Sequence, residues 1–428
     1  LKTRRNVRKI GLKSKWIAGP KAGHRFEKTV RQQAVNKLKL KTGVKGGLRA
    51  GQTTHWKIKR KVKSIIPHAP VTNGYEEGRR DGYTHGNQYG IHLGGSEAVV
   101  ARRAAEPEAY WDVHIFYVKE GFVSLDDGII TALQRRVRLV TPLHEGEDAA
   151  SMAEQLRPDL VVVLNGTRFP SVQVDALRAQ GIRTVVWMVD DPYHSDISAI
   201  LAPRYDIVFT HEMNCVAWYR ELGCAQVHYL PLAAAMHLYA PRKVELPYHT
   251  DICFIANGFW NRIAFIEEVA PFLARKKTMI AGWWWDRLGN YELLRDKIKP
   301  NINWMPPEET ASFYNGAKIV INLHRSDQDP ANFNSRGIIG HSINPRTYEI
   351  CASGAFQLTD SRTDLPQLYV PGREIATYDS PTDFIEKASY YLEHDEEREA
   401  IALRGLRRTL EQHSYSQRLL TMLQILFP

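Results

Sequence analysis

Arg346 and Glu349 stand three residues apart in the stretch Asn344 to Asp360, N-P-R-T-Y-E-I-C-A-S-G-A-F-Q-L-T-D. On a helix this spacing puts both side chains on one face. Pro345 suits a first helical turn, where no amide hydrogen is needed. Tyr348, Ile350 and Cys351 give the helix an apolar side, Gly354 is placed to stop it, and residues 355–359 read as a short buried strand. An arginine and a glutamate offered from a helix start suit an anionic, hydroxyl-rich ligand. The helix start favours phosphate, and a carboxylate accepts hydrogen bonds from sugar hydroxyls. The same spacing also fits a surface ion pair on an ordinary packing helix.

Other chemistry-bearing residues fall at the ends of apolar runs. Asp190 and Asp191 follow Thr184–Met188, and His211 follows Ile207–Thr210. A carboxylate or imidazole there can orient or deprotonate a hydroxyl. The alternatives are structural: Asp191 before Pro192 as a turn and cap, and His211 as the cap of a helix from 212. His324 and Arg325 leave the run Ile319–Leu323, and Arg262 follows the loop Asn257-Gly258. These suit a cleft, though Arg262 can instead pair with Glu267 or Glu268. Trp283-Trp284-Trp285 offers a platform for a sugar or base, with at least one ring expected in the core.

The elements that must position these groups alternate between strand and helix patterns. Strands are predicted at 114–118, 138–140, 160–164, 184–188, 207–210 and 227–230, with helices near 124–135, 147–156, 171–180 and 212–222. Continuous apolar strands at this spacing predict a parallel sheet covered on both faces, with ligands at the strands' C-terminal ends. A second series has strands at 250–255, 278–282, 302–304, 319–323, 355–359 and 375–378. Its helices fall at 263–273, 307–316, 345–353, 381–393 and 396–410, and a last one at 414–426. The organisation read from this is a basic arm over 1–65, a Gly/Tyr-repeat segment over 66–100 and an α/β domain over 101–235. A linker over 236–250, a second α/β domain over 251–410 and a terminal helix over 411–428 that can pack back on the first domain complete it. The cleft between two such domains is the default site. In the repeat, glycines recur every fourth residue from Gly74 to Gly94. That period permits close backbone approach, but each glycine weakens a helix by about 1 kcal/mol relative to alanine. The segment is therefore expected to be helical when packed on a partner surface, and it is no phosphate loop.

The net charge of +10 conceals an asymmetry. Residues 1–63 hold 21 Lys or Arg and one acid, Glu27, whereas residues 64–428 hold 36 basic and 46 acidic side chains. The arm is read as flexible and suits an anionic polymer or a membrane surface. Nucleic acid is not expected, because Trp16, Phe26 and Trp56 are too scattered to form a stacking surface. No apolar run reaches the ~18 residues of a membrane span, and the arm lacks the apolar core of a secretory signal. Cys215, Cys224, Cys253 and Cys351 lie in apolar surroundings without metal-ligand spacing, which predicts reduced thiols in a cytoplasmic protein and no metal site.

Several motifs together resemble the spore-maturation CgeB-like glycosyltransferases, from about residue 74 to the C-terminus. They are the Tyr/Gly repeat, Trp187-Met188-Val189-Asp190-Asp191-Pro192, Asp206 to His211, and Asn322-Leu323-His324-Arg325. Further ones are Arg346-x-Tyr348-Glu349-Ile350-x-Ala352-x-Gly354-Ala355-Phe356-Gln357-Leu358-x-Asp360, Tyr390-Tyr391-Leu392-x-His394, Arg404-x-x-Arg407 and His413-Ser414-Tyr415. The resemblance implies an α/β, GT-B-like fold, with two Rossmann-like domains facing each other across a cleft. It implies sugar transfer from a nucleotide-sugar donor to a carbohydrate or spore-surface glycan, with a nucleoside diphosphate as product and no permanently bound cofactor. Glu349 is then the ribose partner. Arg346, Arg325 and Arg262 face the diphosphate, with His324, Tyr348 and the backbone near Gly258 also on the donor side. Asp190, Asp191 or His211 act on the acceptor. Asp190-Asp191 lacks the spacing of a metal-holding D-x-D motif, so metal-independent transfer is implied. The family context implies the cytoplasm, at a membrane or forming spore. Two rivals stay open at this point: a nucleotide-sugar epimerase or hydrolase of related fold, and a non-enzymatic spore protein that binds anionic polymers.

Overall fold

A computed structural model of the protein describes residues 74–103, 109–300 and 304–428. The basic arm and the strand expected at 302–304 fall wholly or largely outside them. The described chain opens with helix α1 (Gly74–Ala101). Then follow β1 (Trp111–Val118), α2 (Val123–Gln134), β2 (Val137–Leu143), α3 (Ala149–Leu156), β3 (Leu160–Leu164), α4 (Ser171–Ala179) and β4 (Arg183–Met188). Next come α5 (Ser195–Leu201), β5 (Ile207–Thr210), α6 (Met213–Glu221) and β6 (Val227–Tyr229). These six strands form one sheet in the order β2-β1-β3-β4-β5-β6, all parallel.

The second series comprises β7 (Thr250–Ile255), α7 (Trp260–Leu273), β8 (Thr278–Ala281), α8 (Tyr291–Leu294), α9 (Pro307–Gly316) and β9 (Ala317–Asn322). It continues with α10 (Pro345–Ala352), β10 (Gln357–Asp360), α11 (Leu365–Leu368), β11 (Ala376–Tyr378), α12 (Pro381–Glu393), α13 (Asp395–Gln412) and α14 (Tyr415–Leu426). Its sheet is parallel, with order β11-β10-β9-β7-β8. In each sheet the chain reverses direction beside its first strand, so switch points lie between β1 and β3 and between β7 and β9. Ligands collect outside the strand ends at such points.

The strands form where they do because both faces are covered. Along β3 every residue of Leu-Val-Val-Val-Leu is buried. Val161 and Val163 pack with α3, α4 and α6, whereas Val162 and Leu164 face α2 and α14. The second sheet divides in the same way. Ile252 and Ile321 pack with α7 and α13, whereas Cys253 and Val320 pack with α9 and α10. The inner faces of the two sheets belong to one continuous apolar cluster, so the cleft has a common floor. Leu232 to Ala235 at the end of the first α/β domain lies buried in that cluster, as does Tyr239, so the segment read as a linker begins in the core. Helix α14 crosses onto the first sheet's side, where Arg136 donates to the Ser416 carbonyl and hydroxyl.

Helix α1 corrects one expectation. Residues 75–84 are exposed, and a Cβ added at Gly78, Gly82, Gly86, Gly90 or Gly94 would meet nothing within 4 Å. The glycine period therefore permits no close packing here. Anchorage comes from the C-terminal half, where His92 bonds the Gly354 carbonyl, Tyr89 bonds Val244 and Arg242, and Gly95 abuts Leu403. All four cysteines are buried free thiols, and no described helix is long and apolar enough to cross a membrane.

Candidate active site

A cavity of about 450 Å³ opens between the C-terminal ends of the two sheets. The first-sheet side contributes Phe122 and Val123 at the start of α2, Asp190, Asp191 and Tyr193 after β4, and His211 and Glu212 after β5. Opposite stand Asn257 after β7, Trp304, and Asn344, Pro345 and Arg346 at the start of α10. Four residues singled out from the sequence thus share one cavity: Asp190, Asp191, His211 and Arg346.

Their chemical freedom differs. Asp191 is 1% exposed and accepts hydrogen bonds from Ser198, Thr210 and Tyr219, at 2.7–3.0 Å. Its carboxylate is fully occupied, so its place is structural although it borders the cavity. Asp190 is half-buried, accepts from Asn165 Nδ2 at 3.3 Å and lies 3.8 Å from His194 Nδ1. Burial raises its pKa, opposed by His194 and Arg325. His211 is 6% exposed, and neither ring nitrogen has a hydrogen-bond partner. Burial lowers its pKa, with Asp191 opposing. A buried, neutral and unpartnered imidazole on a cavity wall is poised to meet a polar group of a ligand.

On the second-sheet side, α10 starts where β9 ends. Asn344 caps the helix by accepting from Thr347 N, and its amide group exchanges hydrogen bonds with buried Asn322. Arg346 donates to Asn322 Oδ1 at 3.4 Å and turns toward the cavity. Glu349 lies set back from the cavity lining, half-buried. Burial raises its pKa to about 7, while Arg346 and the Tyr239 hydroxyl lower it. Arg262 is buried and donates to the carbonyls of Leu323 and Asn257. It pairs with neither Glu267 nor Glu268, and burial together with Arg346 and Arg325 pushes it down to about 9. Arg325 stacks on Phe259 at 4.1 Å and on Tyr193 at 5.1 Å, and its Nε is buried without a partner. Arg262 thus lies within electrostatic reach of both Arg346 and Arg325, with Asp360 acting on it and Asp329 and Asp190 acting on Arg325.

Other sequence candidates serve the scaffold. His324 is 1% exposed. Its Nδ1 bonds Asp360 at 2.5 Å and its Nε2 accepts the Asn344 amide at 3.0 Å. Both nitrogens are used, so His324 fixes the start of α10 from behind. Burial depresses its pKa to about 4, which keeps it neutral. The Gly258 amide donates to the Trp283 carbonyl and is not free for phosphate. Tyr348 points into the core against Tyr369 and His413, away from the cavity. Among the described residues no group of three or more His, Cys, Asp or Glu is arranged to hold a metal ion.

Sequence reasoning missed the connection from β9 to α10. It crosses to the first sheet's side, where Phe333 exchanges main-chain bonds with Tyr193 and Asp196, and Glu212 accepts the amides of His341 and Ser342. Burial raises Glu212 to about 7 despite these bonds. Tyr193 has no periodic signal to mark it, Glu212 reads only as the residue after His211, and Trp304 only as the end of a strand over 302–304.

Residues 262–424 match a family model described as glycosyl transferase-like. Spore protein CgeB of Bacillus subtilis (strain 168) is 33% identical over 266 residues, which cover 62% of this chain and 81% of that protein. Among solved structures, sucrose-phosphate synthase from Thermosynechococcus elongatus aligns with a TM-score of 0.51 at 10% identity, over 73% of this chain and 98% of its own. A glycosyltransferase from Rickettsia africae gives 0.50 at 11% identity, over 74% and 98%. Anabaena HepE, solved in complex with UDP and glucose, gives 0.50 at 9% identity, over 73% and 99%. These structural likenesses establish the fold, two Rossmann-like units facing each other across a cleft in the GT-B arrangement.

Proposed function

Because this chain belongs to the family of the spore protein CgeB and carries a glycosyl transferase-like C-terminal region, we propose that it transfers a sugar from a nucleotide-sugar donor to a carbohydrate acceptor. The observation that carries this reading is the division of the cavity. Arg346, with Arg325 and Arg262 close by, stands on the second-sheet side, and Asp190 with the unpartnered His211 stands on the first. In the transfer, the bond from the sugar's anomeric carbon to phosphate breaks and one to an acceptor hydroxyl oxygen forms. The nucleoside diphosphate leaves with the bonding electrons and the hydroxyl proton passes to a base. Arginine stabilises the charge that grows on the departing diphosphate. Glu349 accepts the ribose hydroxyls, and Asp190 or His211 orients or deprotonates the acceptor.

Thermal stabilisation by a panel of nucleotide sugars and nucleoside diphosphates tests the donor side. At least one is expected to raise the melting temperature, with the shift reduced in Arg346→Ala and Glu349→Ala. If none binds the intact protein, the transferase reading falls. Product analysis with and without glycan acceptors separates transfer from hydrolysis or epimerisation.

A further inference from the structure

A row of aromatic rings leads from the surface to the cavity wall. Trp283 is 43% exposed and sits edge-on to Trp284, with ring centres 5.9 Å apart. Trp284 meets Phe259 at 5.2 Å, Phe259 carries Arg325 at 4.1 Å, and Arg325 reaches Tyr193 on the cavity wall at 5.1 Å. A side branch adds Trp260, which is 50% exposed, with the Arg287 guanidinium over both its ring (5.1 Å) and that of Trp284 (4.6 Å).

The backbone is bent to present these rings. Trp284 has φ of +70°, a left-handed conformation that bulky L-residues rarely adopt and that stores strain. Core packing accounts for Trp285 alone. That residue is 2% exposed and bonds the Ala256 carbonyl, whereas Trp283 is exposed and Trp284 half-buried. The loop is tied to the cavity by Asn257, which accepts the Trp283 amide through Oδ1 and itself lines the cavity. Exposed indole faces exclude water from the apolar C–H face of a sugar ring, and a guanidinium donates to its hydroxyls. Trp283 and Trp260 keep exposed indole at the outer end of this row, and Asn257 ties their loop to the cavity, so a chain of sugars lying on them has one end near the cavity.

We propose that Trp283, Trp284 and Trp260, with Arg287, form a docking platform for a linear glycan that feeds its end into the cavity as the acceptor. This rests on the transferase reading above, and the experiment separates the two. The full chain is titrated with maltohexaose, cellohexaose and chitohexaose while tryptophan fluorescence is followed. Nucleotide-induced thermal shifts are measured in parallel. The expected result is saturable binding of at least one hexaose, weakened tenfold or more in Trp260→Ala/Trp283→Ala, with nucleotide shifts unchanged. Both positions are half-exposed, so the double variant is expected to fold, and its melting curve checks this. No saturable binding of any hexaose, or equal binding by the double variant, overturns the platform. Loss of the nucleotide shift in the double variant also overturns it and assigns the rings to the donor. Absence of nucleotide binding to the intact protein counts against the transferase reading alone, because the hexaose titration judges the platform independently.

Discussion

Replacing His324 with alanine tests whether helix α10 is held from behind. The substitution removes the bond from Nδ1 to Asp360, a charge-assisted interaction of about 1.5–3 kcal/mol. It also strips the Asn344 amide of its acceptor, which costs about 1–3 kcal/mol for a buried group. Asp360 retains the His324 main-chain amide and Arg362, so the first loss lies toward the lower end. Together these give ~3–4 kcal/mol, a large share of the ~5–15 kcal/mol typical of a folded domain. Asparagine places a donor near the former Nδ1 position but offers no acceptor at Nε2, so His324→Asn should lose about half as much. Burial holds the imidazole's pKa down to about 4, below its unfolded value near 6.5. Its contribution is therefore fully present above the unfolded value and disappears as pH falls through about 4. The difference between wild type and His324→Ala should narrow by on the order of 3 kcal/mol across that window. Urea denaturation at several pH values measures the stability. Hydrogen exchange at the Asn344 amide reports local opening without requiring a two-state transition. A cost below about 1 kcal/mol, or unchanged exchange at Asn344, would refute the buttress.

The two aspartates should behave differently. Asp191→Ala orphans the hydroxyls of Tyr219, Ser198 and Thr210, so it should destabilise by ~3 kcal/mol in denaturant titrations, whereas Asp190→Asn should leave stability within ~1 kcal/mol. If Asp190 serves the acceptor, that same variant lowers turnover by roughly 100-fold. Glu349 has a raised pKa of about 7, so its neutral form favours folding and that stability is lost as pH rises through 7. Ribose hydroxyls need the ionised form, so calorimetry should show nucleotide affinity rising between pH 6 and 8, with the step absent in Glu349→Gln. On α1, Gly78→Ala, Gly82→Ala and Gly86→Ala meet open space and should each stabilise the helix by up to ~1 kcal/mol, read as increased helicity and slower exchange in its first half.

The strands were legible because burial on both faces leaves an unbroken apolar run, as at Leu160–Leu164 and Thr250–Ile255. The helix of the Arg346–Glu349 stretch was legible through Pro345 at its start and Gly354, with φ of +70°, after its end. The site was legible in position but not in orientation. Asp190 and Asp191 are neighbours in sequence, yet Asp190 keeps a half-exposed carboxylate and Asp191 closes a hydroxyl network with residues 7–28 positions further along. His324 and Arg325 likewise split, one satisfied on both nitrogens and the other stacked between rings. No local pattern encodes which partner a buried polar group will find, because partners such as Asp360 and Tyr219 come from distant strands and helices.

The least legible part, the connection from β9 to α10, bears directly on how the cleft works. It has no periodicity, yet it joins the loop after β4 through Phe333 and the loop after β5 through Glu212. Those loops carry Asp190 and His211, and the connection's far end enters α10, which carries Arg346. The connection thus joins α10 to both of those loops through main-chain amides and carbonyls. Glu212 is the acceptor at the second of these joints. Its carboxylate accepts three amides, from Asn214, His341 and Ser342, yet burial lifts its pKa to about 7, so the ionised form that accepts them best prevails only above neutrality. Glu212 is one of several polar groups that join the connection to the first sheet's side, beside Tyr193, Ser195 and Asp196, and its hold weakens as pH falls through about 7.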